Sequence, residues 1–151
     1  MAPSEDICVT VAGLELRLRG RDTDSGDYYW HLFWPAARAL GERLVADASE
    51  VAGARVLELG AGLGLPGIVA ARLGAEVWMN DIDAEALSLT RENVIRNDIA
   101  GVDYLPFDWA APPAVAPFDL ILGSELVYEP FCIEPLAITI DRLLAPEGRA
   151  I

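Results

Sequence analysis

The chain has 151 residues, of which 53% are hydrophobic, so it is long enough for one domain with a buried core. It carries 24 acidic residues against 11 basic ones, and the formal net charge of −13 repels phosphate backbones and anionic membrane surfaces. These values exclude a disordered chain and argue against nucleic acid or a membrane as a direct partner, while an acidic surface keeps an apolar domain dissolved or attracts a basic protein.

The N-terminal part predicts a β-hairpin followed by a loop. Apolar and other side chains alternate over residues 7–19 around Ala12 and Gly13, which is the period-two pattern of paired strands. Residues 21–27 are polar and contain glycine, so they predict a loop.

An aromatic segment and a helix come next. Residues 28–34 are dense in aromatic side chains, and Tyr28, Tyr29 and Trp30 are consistent with packing or with a lip over a site. Pro35 suits the first turn of the helix. The predicted buried face of this helix carries Ala36, Leu40, Leu44 and Val45.

After Gly53 the pattern changes to short apolar runs separated by helical stretches, which predicts strand–helix repeats in a parallel sheet. The predicted strands are residues 55–59, 76–80, 102–107 and 118–123, with a loop at 110–117. The predicted helices are residues 65–73, 84–97 and 133–144, and the second has Leu87, Val94 and Ile95 on its inner face. Residues 146–148 predict a turn into a fifth strand that has barely begun at Ile151.

The predicted fold is a single α/β domain over residues 1–151, a doubly wound, Rossmann-like, mostly parallel sheet. An N-terminal hairpin occupies residues 1–20, and the aromatic segment with the first helix occupies residues 28–48. Residues 54–151 form the cofactor-binding core, which we expect to be truncated in its fifth strand, with the strands C-terminal to it missing.

The cysteines and the N-terminus give further expectations. Cys8 and Cys132 are the only cysteines and belong to no Cys-x-x-Cys pair or Cys/His cluster, so we predict neither a disulfide framework nor a metal site. The first six residues are acidic where a signal peptide is basic, and no apolar run approaches the ~18 residues that cross a bilayer. We therefore expect a cytoplasmic protein.

A glycine-rich turn, Gly60-Ala61-Gly62-Leu63-Gly64, directly follows the strand at 55–59 and lets the backbone approach a bound nucleotide closely. Residues 62–67 also match the dinucleotide fingerprint GxGxxG. The strand ends before Gly60, however, so the spacing in the turn is GxGxG, which favours S-adenosyl-L-methionine. Glu58 fits beside its ammonium and sulfonium groups better than beside a pyrophosphate. An NAD(H)-dependent oxidoreductase, or a turn without a ligand, remains an alternative.

Two further strand ends supply candidate cofactor ligands. The carboxylate of Asp81 can accept hydrogen bonds from both ribose hydroxyls, while Ile82 flanks the adenine. Asp83 is better placed than Asp81 to cap the helix that follows. Asp108 offers a carboxylate to the adenine amino group, and Trp109 offers an apolar contact.

The chain is similar to class I, seven-strand S-adenosylmethionine-dependent methyltransferases. Within them it resembles the protein-lysine methyltransferases of the methyltransferase-like 21 type, also called methyltransferase family 16, over about residues 30–144. The matching segments are Trp34-Pro35-Ala36-Ala37 with Leu40 and Leu44, ELGAGLGLPG at 58–67, Asn80-Asp81 with NVIRN at 93–97, and Asp108-Trp109 with LILGSELVY at 120–128.

The resemblance implies S-adenosyl-L-methionine as the cofactor and a protein lysine as the methyl acceptor. The family's acidic-x-x-aromatic motif falls on Glu125 and Tyr128, where its members take the incoming lysine, and many relatives have Ala-Asp in place of Ser124-Glu125. Two further strands are also implied beyond residue 151. The implied cofactor pocket is lined by Trp34, Gly60, Ala61, Gly62, Asp81, Trp109 and Ser124.

The chemistry of methyl transfer is consistent with that acceptor site. The thioether that leaves a sulfonium is neutral, so the reaction mainly needs a neutral amine held in line with the methyl carbon. A lysine amine with a pKa of ~10.4 is mostly protonated at neutral pH, so Glu125 would attract it and Tyr128 would accept a hydrogen bond or line the channel. A small-molecule methyltransferase on the same scaffold, or a non-catalytic binding module, remains an alternative. The chain contains no lysine, so a lysine acceptor must be another molecule.

Overall fold

The structure is a computed structural model that describes residues 4–21 and 30–151. Most of the predicted loop at 21–27, together with Tyr28 and Tyr29, lies outside the described residues. None of the helices in the described ranges is long and apolar enough to cross a membrane.

The predicted hairpin is present and is longer than expected. Strand β1 (Ser4–Val11) pairs antiparallel with β2 (Leu14–Arg21), and both residues of the turn, Ala12 and Gly13, have positive φ. Alternation of apolar residues makes one face of the hairpin part of the core. Among the described residues, its buried apolar side chains are Val9, Val11, Leu16 and Leu18.

Helix α1 (Pro35–Ala46) begins at Pro35, whose missing N–H group is tolerated in the first helical turn. Leu40 and Leu44 are buried as predicted, while Ala36 and Val45 are half-buried. A four-residue helix that was not predicted, α2 (Ala48–Val51), follows directly and buries Val51.

The core is a parallel sheet of five strands, β3 (Arg55–Leu59), β4 (Glu76–Met79), β5 (Asp103–Tyr104), β6 (Phe118–Gly123) and β7 (Leu144–Ala150). Its order is β5-β4-β3-β6-β7, so the chain reverses direction across the sheet at β3. The connecting helices are α3 (Leu65–Arg72), α4 (Ala84–Arg96) and α5 (Ile133–Leu143), and a 3-10 turn at Pro130–Cys132 precedes the last. This confirms the predicted Rossmann-like α/β fold.

Alternate residues of β3 face two different layers of the molecule. Val56 packs into a core shared with α1, α3, α4 and the hairpin. Leu57 and Leu59 face the opposite layer, where they pack against Phe118 of β6 and Leu136 of α5. Helices thus cover both faces of the sheet, as a doubly wound fold requires.

Two strand predictions are corrected. The strand predicted at 102–107 is only Asp103–Tyr104, because the side chain of Asn80 takes the carbonyl oxygens of Leu105 and Phe107 that a continued strand would use. The turn predicted at 146–148 lies within β7, which starts directly after α5. An irregular register between Phe118 and Leu120 accommodates these turn-forming residues in the strand.

One side-chain prediction on α4 is also corrected. Ile95 was expected on the inner face, but 66% of its surface is exposed. The inward positions of that part of the helix are taken by Asn93 and Asn97, whose side chains are buried and hydrogen-bonded to the backbone of β2.

Candidate functional site

A cavity of about 530 Å³ opens at the edge of the sheet where the parallel strands end. It lies at the reversal of strand order, the place where doubly wound sheets bind ligands, and its size suits a nucleoside-sized molecule. All predicted site residues except Glu58 line it: Trp34, Gly60, Ala61, Gly62, Asp81, Ile82, Asp108, Trp109, Ser124, Glu125 and Tyr128.

The glycine turn after β3 forms one wall, and all three of its glycines have positive φ and cannot be replaced without strain. Gly60 has a φ of 56°, and a Cβ atom there would lie 2.7 Å from Cδ2 of Leu126. Gly62 has a φ of 51°, and a Cβ atom there would lie 2.9 Å from the carbonyl oxygen of Trp30. Both positions combine left-handed backbone with close neighbours, so only glycine fits.

Asp81 follows β4 and holds the glycine turn through its carboxylate. Its Oδ2 accepts a hydrogen bond from the N–H of Gly62, and its Oδ1 accepts one from the N–H of Asp83, each at 3.1 Å. Burial raises the pKa of Asp81. Carboxylate oxygens have about four acceptor positions, so this side chain can still accept bonds from ribose hydroxyls. Asp83 caps α4 as predicted, accepting from the N–H of Glu85 at 2.7 Å.

A buried amide that the sequence interpretation did not single out, Asn80, holds the wall that contains Trp109. Its Oδ1 accepts from the indole Nε1–H of Trp109 at 2.9 Å. Its Nδ2 donates to the carbonyl oxygens of Leu105 at 2.9 Å and Phe107 at 3.0 Å. A polar residue at the end of an apolar strand was the signal in the sequence.

The exposed parts of this wall differ in polarity. Ile82 is 71% exposed at the cavity, which leaves an apolar side chain available to a flat ring. Asp108 is exposed and uses one carboxylate oxygen to accept from the N–H of Ala110 at 2.9 Å.

Glu58 differs from the expectation, because it lies outside the cavity lining. It shares the face of β3 that carries Val56, so α3 covers it and only 2% of its surface is exposed. Its Oε2 accepts from the N–H of Gly67 in the first turn of α3 at 2.9 Å. The N-cap residue, Gly64, has no side chain, so Glu58 supplies the cap from the neighbouring strand.

Burial, together with the nearby charge of Asp81, raises the pKa of Glu58 to about 8, although the N–H group of Gly67 opposes the shift. The carboxyl group is therefore mostly protonated at neutral pH. It is a poor partner for a positive charge and a suitable internal support for the glycine turn.

The loop after β6 forms another wall of the cavity and carries Ser124, Glu125 and Tyr128. Glu125 is exposed and has a φ of 56°, a left-handed conformation that a residue other than glycine rarely adopts and that is typical of functional sites. Tyr128 is 62% exposed. Partial burial raises its pKa, and so do nearby Cys132, Asp81 and Glu129, so its hydroxyl stays protonated. Phe131 and Cys132 also line this wall, although the sequence interpretation assigned them no role.

Among the residues that the structure describes, the charge of the lining has one sign. The charged side chains there are Asp81, Asp83, Asp108 and Glu125, and no described arginine contributes. Such a surface attracts a cationic ligand, such as a sulfonium or an ammonium group, and disfavours the pyrophosphate of a dinucleotide. The arrangement is therefore better suited to methyl transfer than to hydride transfer.

Comparison with known proteins gives a consistent picture. A family model described as lysine methyltransferase matches residues 18–151. Histone-arginine methyltransferase METTL23 of Xenopus laevis is 36% identical over 122 residues, covering 77% of this chain and 52% of that protein. Protein N-terminal and lysine N-methyltransferase EFM7 of Eremothecium gossypii is 34% identical over 156 residues, covering 91% of this chain and 59% of that protein. The chain spans about half the length of the curated relatives it matches.

Among solved structures, the chain is similar to the T. thermophilus 16S rRNA N2 G1207 methyltransferase RsmC, solved in complex with AdoMet and guanosine. The TM-score is 0.76 at 24% sequence identity, with 97% of this chain and 41% of that chain covered. At that identity the similarity supports the fold alone.

Proposed function

We propose, because this chain belongs to the lysine methyltransferase family, that it transfers a methyl group from S-adenosyl-L-methionine to a nitrogen atom of a protein side chain, with lysine as the acceptor. The observation that carries the proposal is the acidic, glycine-walled cavity at the switch point of the sheet. Both cysteines of the chain, Cys8 and Cys132, are free thiols, which fits the reducing cytoplasm as the place of the reaction.

The donor occupies the part of the cavity between β3 and β5 in this proposal. The bare backbone at Gly60 and Gly62 receives the methionine moiety, and Asp81 accepts hydrogen bonds from the ribose. Ile82 and Trp109 flank the adenine. The remaining proposed contacts are those of Trp34, Ala61, Asp108 and Ser124. Bound S-adenosyl-L-methionine supplies an electrophilic methyl group on a sulfonium.

The acceptor enters beside the loop after β6. The carboxylate of Glu125 makes no hydrogen bond or ion pair with any residue that the structure describes, so it is available to attract an ammonium group. Because Glu125 and Tyr128 are both exposed, the proton that the amine must lose before it attacks can pass to solvent. The protonated hydroxyl of Tyr128 then accepts a hydrogen bond from the neutral amine and orients its lone pair.

Glu125→Gln and Tyr128→Phe test this assignment. We expect either change to lower turnover by about tenfold to a hundredfold, because the amine is held less well in line, while the Kd of the donor stays within about twofold. Glu147→Gln, which removes a carboxylate from an exposed position outside the cavity lining, is the matched control. Unchanged turnover in both test variants would remove these residues from the acceptor site.

Arginine is the second candidate acceptor, favoured by the similarity to a protein named as a histone-arginine methyltransferase. A planar guanidinium group binds best to two parallel carboxylate oxygens, which Glu125 is able to provide. Incubation with tritiated donor and a mixture of basic proteins, followed by acid hydrolysis, separates methyllysine from methylarginine. We expect the tritium in methyllysine. Tritium found only in methylarginine would show that the acceptor is arginine and not lysine.

A further inference from the structure

Asn93 lies on the buried face of α4, and Asn97, four residues later, is the residue that caps the C-terminal end of this helix. Each of the two side chains binds one residue of β2. Oδ1 of Asn93 accepts from the N–H of Arg19 at 2.6 Å, and its Nδ2 donates to the carbonyl oxygen of Arg19 at 3.2 Å. Oδ1 of Asn97 accepts from the N–H of Arg17 at 3.0 Å, and its Nδ2 donates to the carbonyl oxygen of Arg17 at 2.8 Å.

The spacing of the two amides matches the spacing of the strand. Four residues of an α-helix rise about 6 Å, and two residues of a β-strand rise about 6.6 Å. Side chains at these two positions of α4 therefore meet alternate residues of β2 and take the place of a neighbouring strand. This accounts physically for the NVIRN segment that the sequence resemblance contains.

Asn93 makes one contact that Asn97 lacks. Its Nδ2 also donates to the carbonyl oxygen of Leu63 in the glycine turn at 3.0 Å. Thr90, one turn earlier on α4, bonds through its hydroxyl to the carbonyl oxygen of Gly62 at 2.6 Å. Asn97 instead bonds to the carbonyl oxygen of Asn93 at 2.8 Å. Leu63 and Gly62 both line the cavity.

We infer that Asn93 is a positioning residue for the methyl donor, through which the N-terminal hairpin becomes part of the donor site. The inference rests on the proposed function. Gly60, Gly62 and Gly64 all have positive φ, and glycine loses more conformational freedom on ordering than any other residue. Because the peptide group is planar, fixing the carbonyl groups of Gly62 and Leu63 also fixes the N–H groups that follow them. A turn ordered in advance binds its ligand without a further loss of entropy.

Three variants distinguish the effect of the bonds to the hairpin from the effect of the bonds to the glycine turn. Asn97→Ala removes the bonds to the hairpin and one to the backbone of α4, but none to the turn. Thr90→Val removes a bond to the turn and one to the backbone of α4, but none to the hairpin. Asn93→Ala removes bonds to both the hairpin and the turn. We expect the two asparagine variants to lower the melting temperature to a similar extent. Calorimetry below all melting transitions should show the Kd of S-adenosyl-L-methionine raised about fivefold to tenfold in Asn93→Ala and Thr90→Val, the equivalent of one hydrogen bond, and within about twofold of the wild type in Asn97→Ala.

The outcomes separate this inference from the proposed function. A wild-type chain without saturable donor binding contradicts both. A wild-type chain that binds the donor, together with an equal Kd for Asn93→Ala and Asn97→Ala, contradicts the inference alone, because the hairpin then acts only through stability. Thr90→Val nearly preserves the shape of the side chain, so it still tests whether bonds to the glycine turn affect donor affinity if Asn93→Ala does not fold. Wild-type affinity in that variant also overturns the inference.

Discussion

At Glu58, the face of the strand determines what one carboxyl group does. The residue precedes the glycine turn, where a negative charge beside a sulfonium is chemically attractive, but its side chain points to the α3 layer and caps that helix through Gly67. Its raised pKa is a measurable sign of this location.

Replacement of Glu58 tests that location through pH. The pKa rises on folding from an ordinary value of 4.5 to about 8, so between these values the native state keeps a proton that the unfolded chain has lost. The stability linked to this proton is complete below the lower value and is lost as pH rises through the higher one, by at most about 1.4 kcal/mol per pH unit. We expect Glu58→Gln, which is neutral and can still accept from Gly67, to gain stability relative to the wild type as pH rises from about 5 to about 8.

Urea unfolding curves at several pH values measure this difference. Glu147→Gln serves as a control for the loss of a surface carboxylate. A constant difference between Glu58→Gln and the wild type across that range would contradict a buried, protonated carboxyl group.

Asn80 is the second residue whose role is visible only in the structure. Replacing it with alanine leaves two carbonyl groups and the indole N–H of Trp109 without their partner, so we expect unfolding to cost about 2–4 kcal/mol less. Trp109→Phe removes the N–H group from the other side. The double variant should then be at least about 0.5 kcal/mol more stable than the sum of the single changes predicts, and strict additivity would show that the bond between them contributes nothing.

At the scale of elements, the turn between β3 and α3 depends on what its glycines approach. Gly62→Ala places a methyl group against the carbonyl oxygen of Trp30, whereas Gly53, which has a φ of 77°, has nothing within 4 Å of that position. Alanine at either site costs about 1 kcal/mol in backbone strain. We therefore expect Gly62→Ala to weaken donor binding by at least about tenfold. Gly53→Ala should leave the Kd of the donor unchanged, although it introduces a similar backbone strain. Equal donor affinities in the two variants would show that the close approach at Gly62 is unimportant.

The sequence predicts elements well where one periodicity dominates. The strands β3, β4 and β6 and the helices α3 and α4 have clear apolar patterns, and their ends were predicted to within one or two residues. The remainder depends on partners distant in the chain. Strand β5 is short because the side chain of Asn80 takes carbonyl groups that a strand would otherwise use, and Ile95 is exposed because two asparagines bond to β2.

The features of the candidate site likewise divide into those with a local signal in the sequence and those set by contacts between distant parts of the chain. Strand ends and a turn motif are local signals, so a large part of the cavity lining was predictable from the sequence, while Phe131 and Cys132 were not predicted. The direction in which Glu58 points, and the amide groups that hold the walls, depend on register and on contacts between elements. Those contacts exist only in the folded chain.

At the scale of the whole molecule, exposed apolar side chains are concentrated near the cavity. Phe131 is 75% exposed and lines it, and five other exposed apolar residues of the described part of the chain line it or adjoin lining residues in sequence. These five are Leu32, Ile82, Val127, Tyr128 and Ile133, whereas Ile95, Val115, Ile138 and Ile151 are exposed elsewhere. A protein acceptor would cover such a surface, and the surrounding acidic groups favour a basic one.

Phe131→Ser tests whether this surface contacts the acceptor. We expect the KM for a protein acceptor to rise roughly fivefold or more, because aromatic side chains often dominate binding energy, while the Kd of the donor is unchanged. Ile95→Ser is the matched control, since Ile95 is 66% exposed on α4 and does not line the cavity. The same change of KM in both variants would mean that Phe131 acts as an ordinary surface residue.

The bonds between the hairpin and α4 also determine when, during synthesis, the molecule can be completed. They join residues that are 74 and 80 positions apart, and closing loops of that length costs entropy before any bond forms. On a ribosome that adds 5–20 residues per second, the hairpin is synthesised about 4–15 seconds before Asn93. Throughout that interval Leu16 and Leu18 lack the part of their core that α4 supplies, so the apolar face of the hairpin is incompletely covered until α4 has been made.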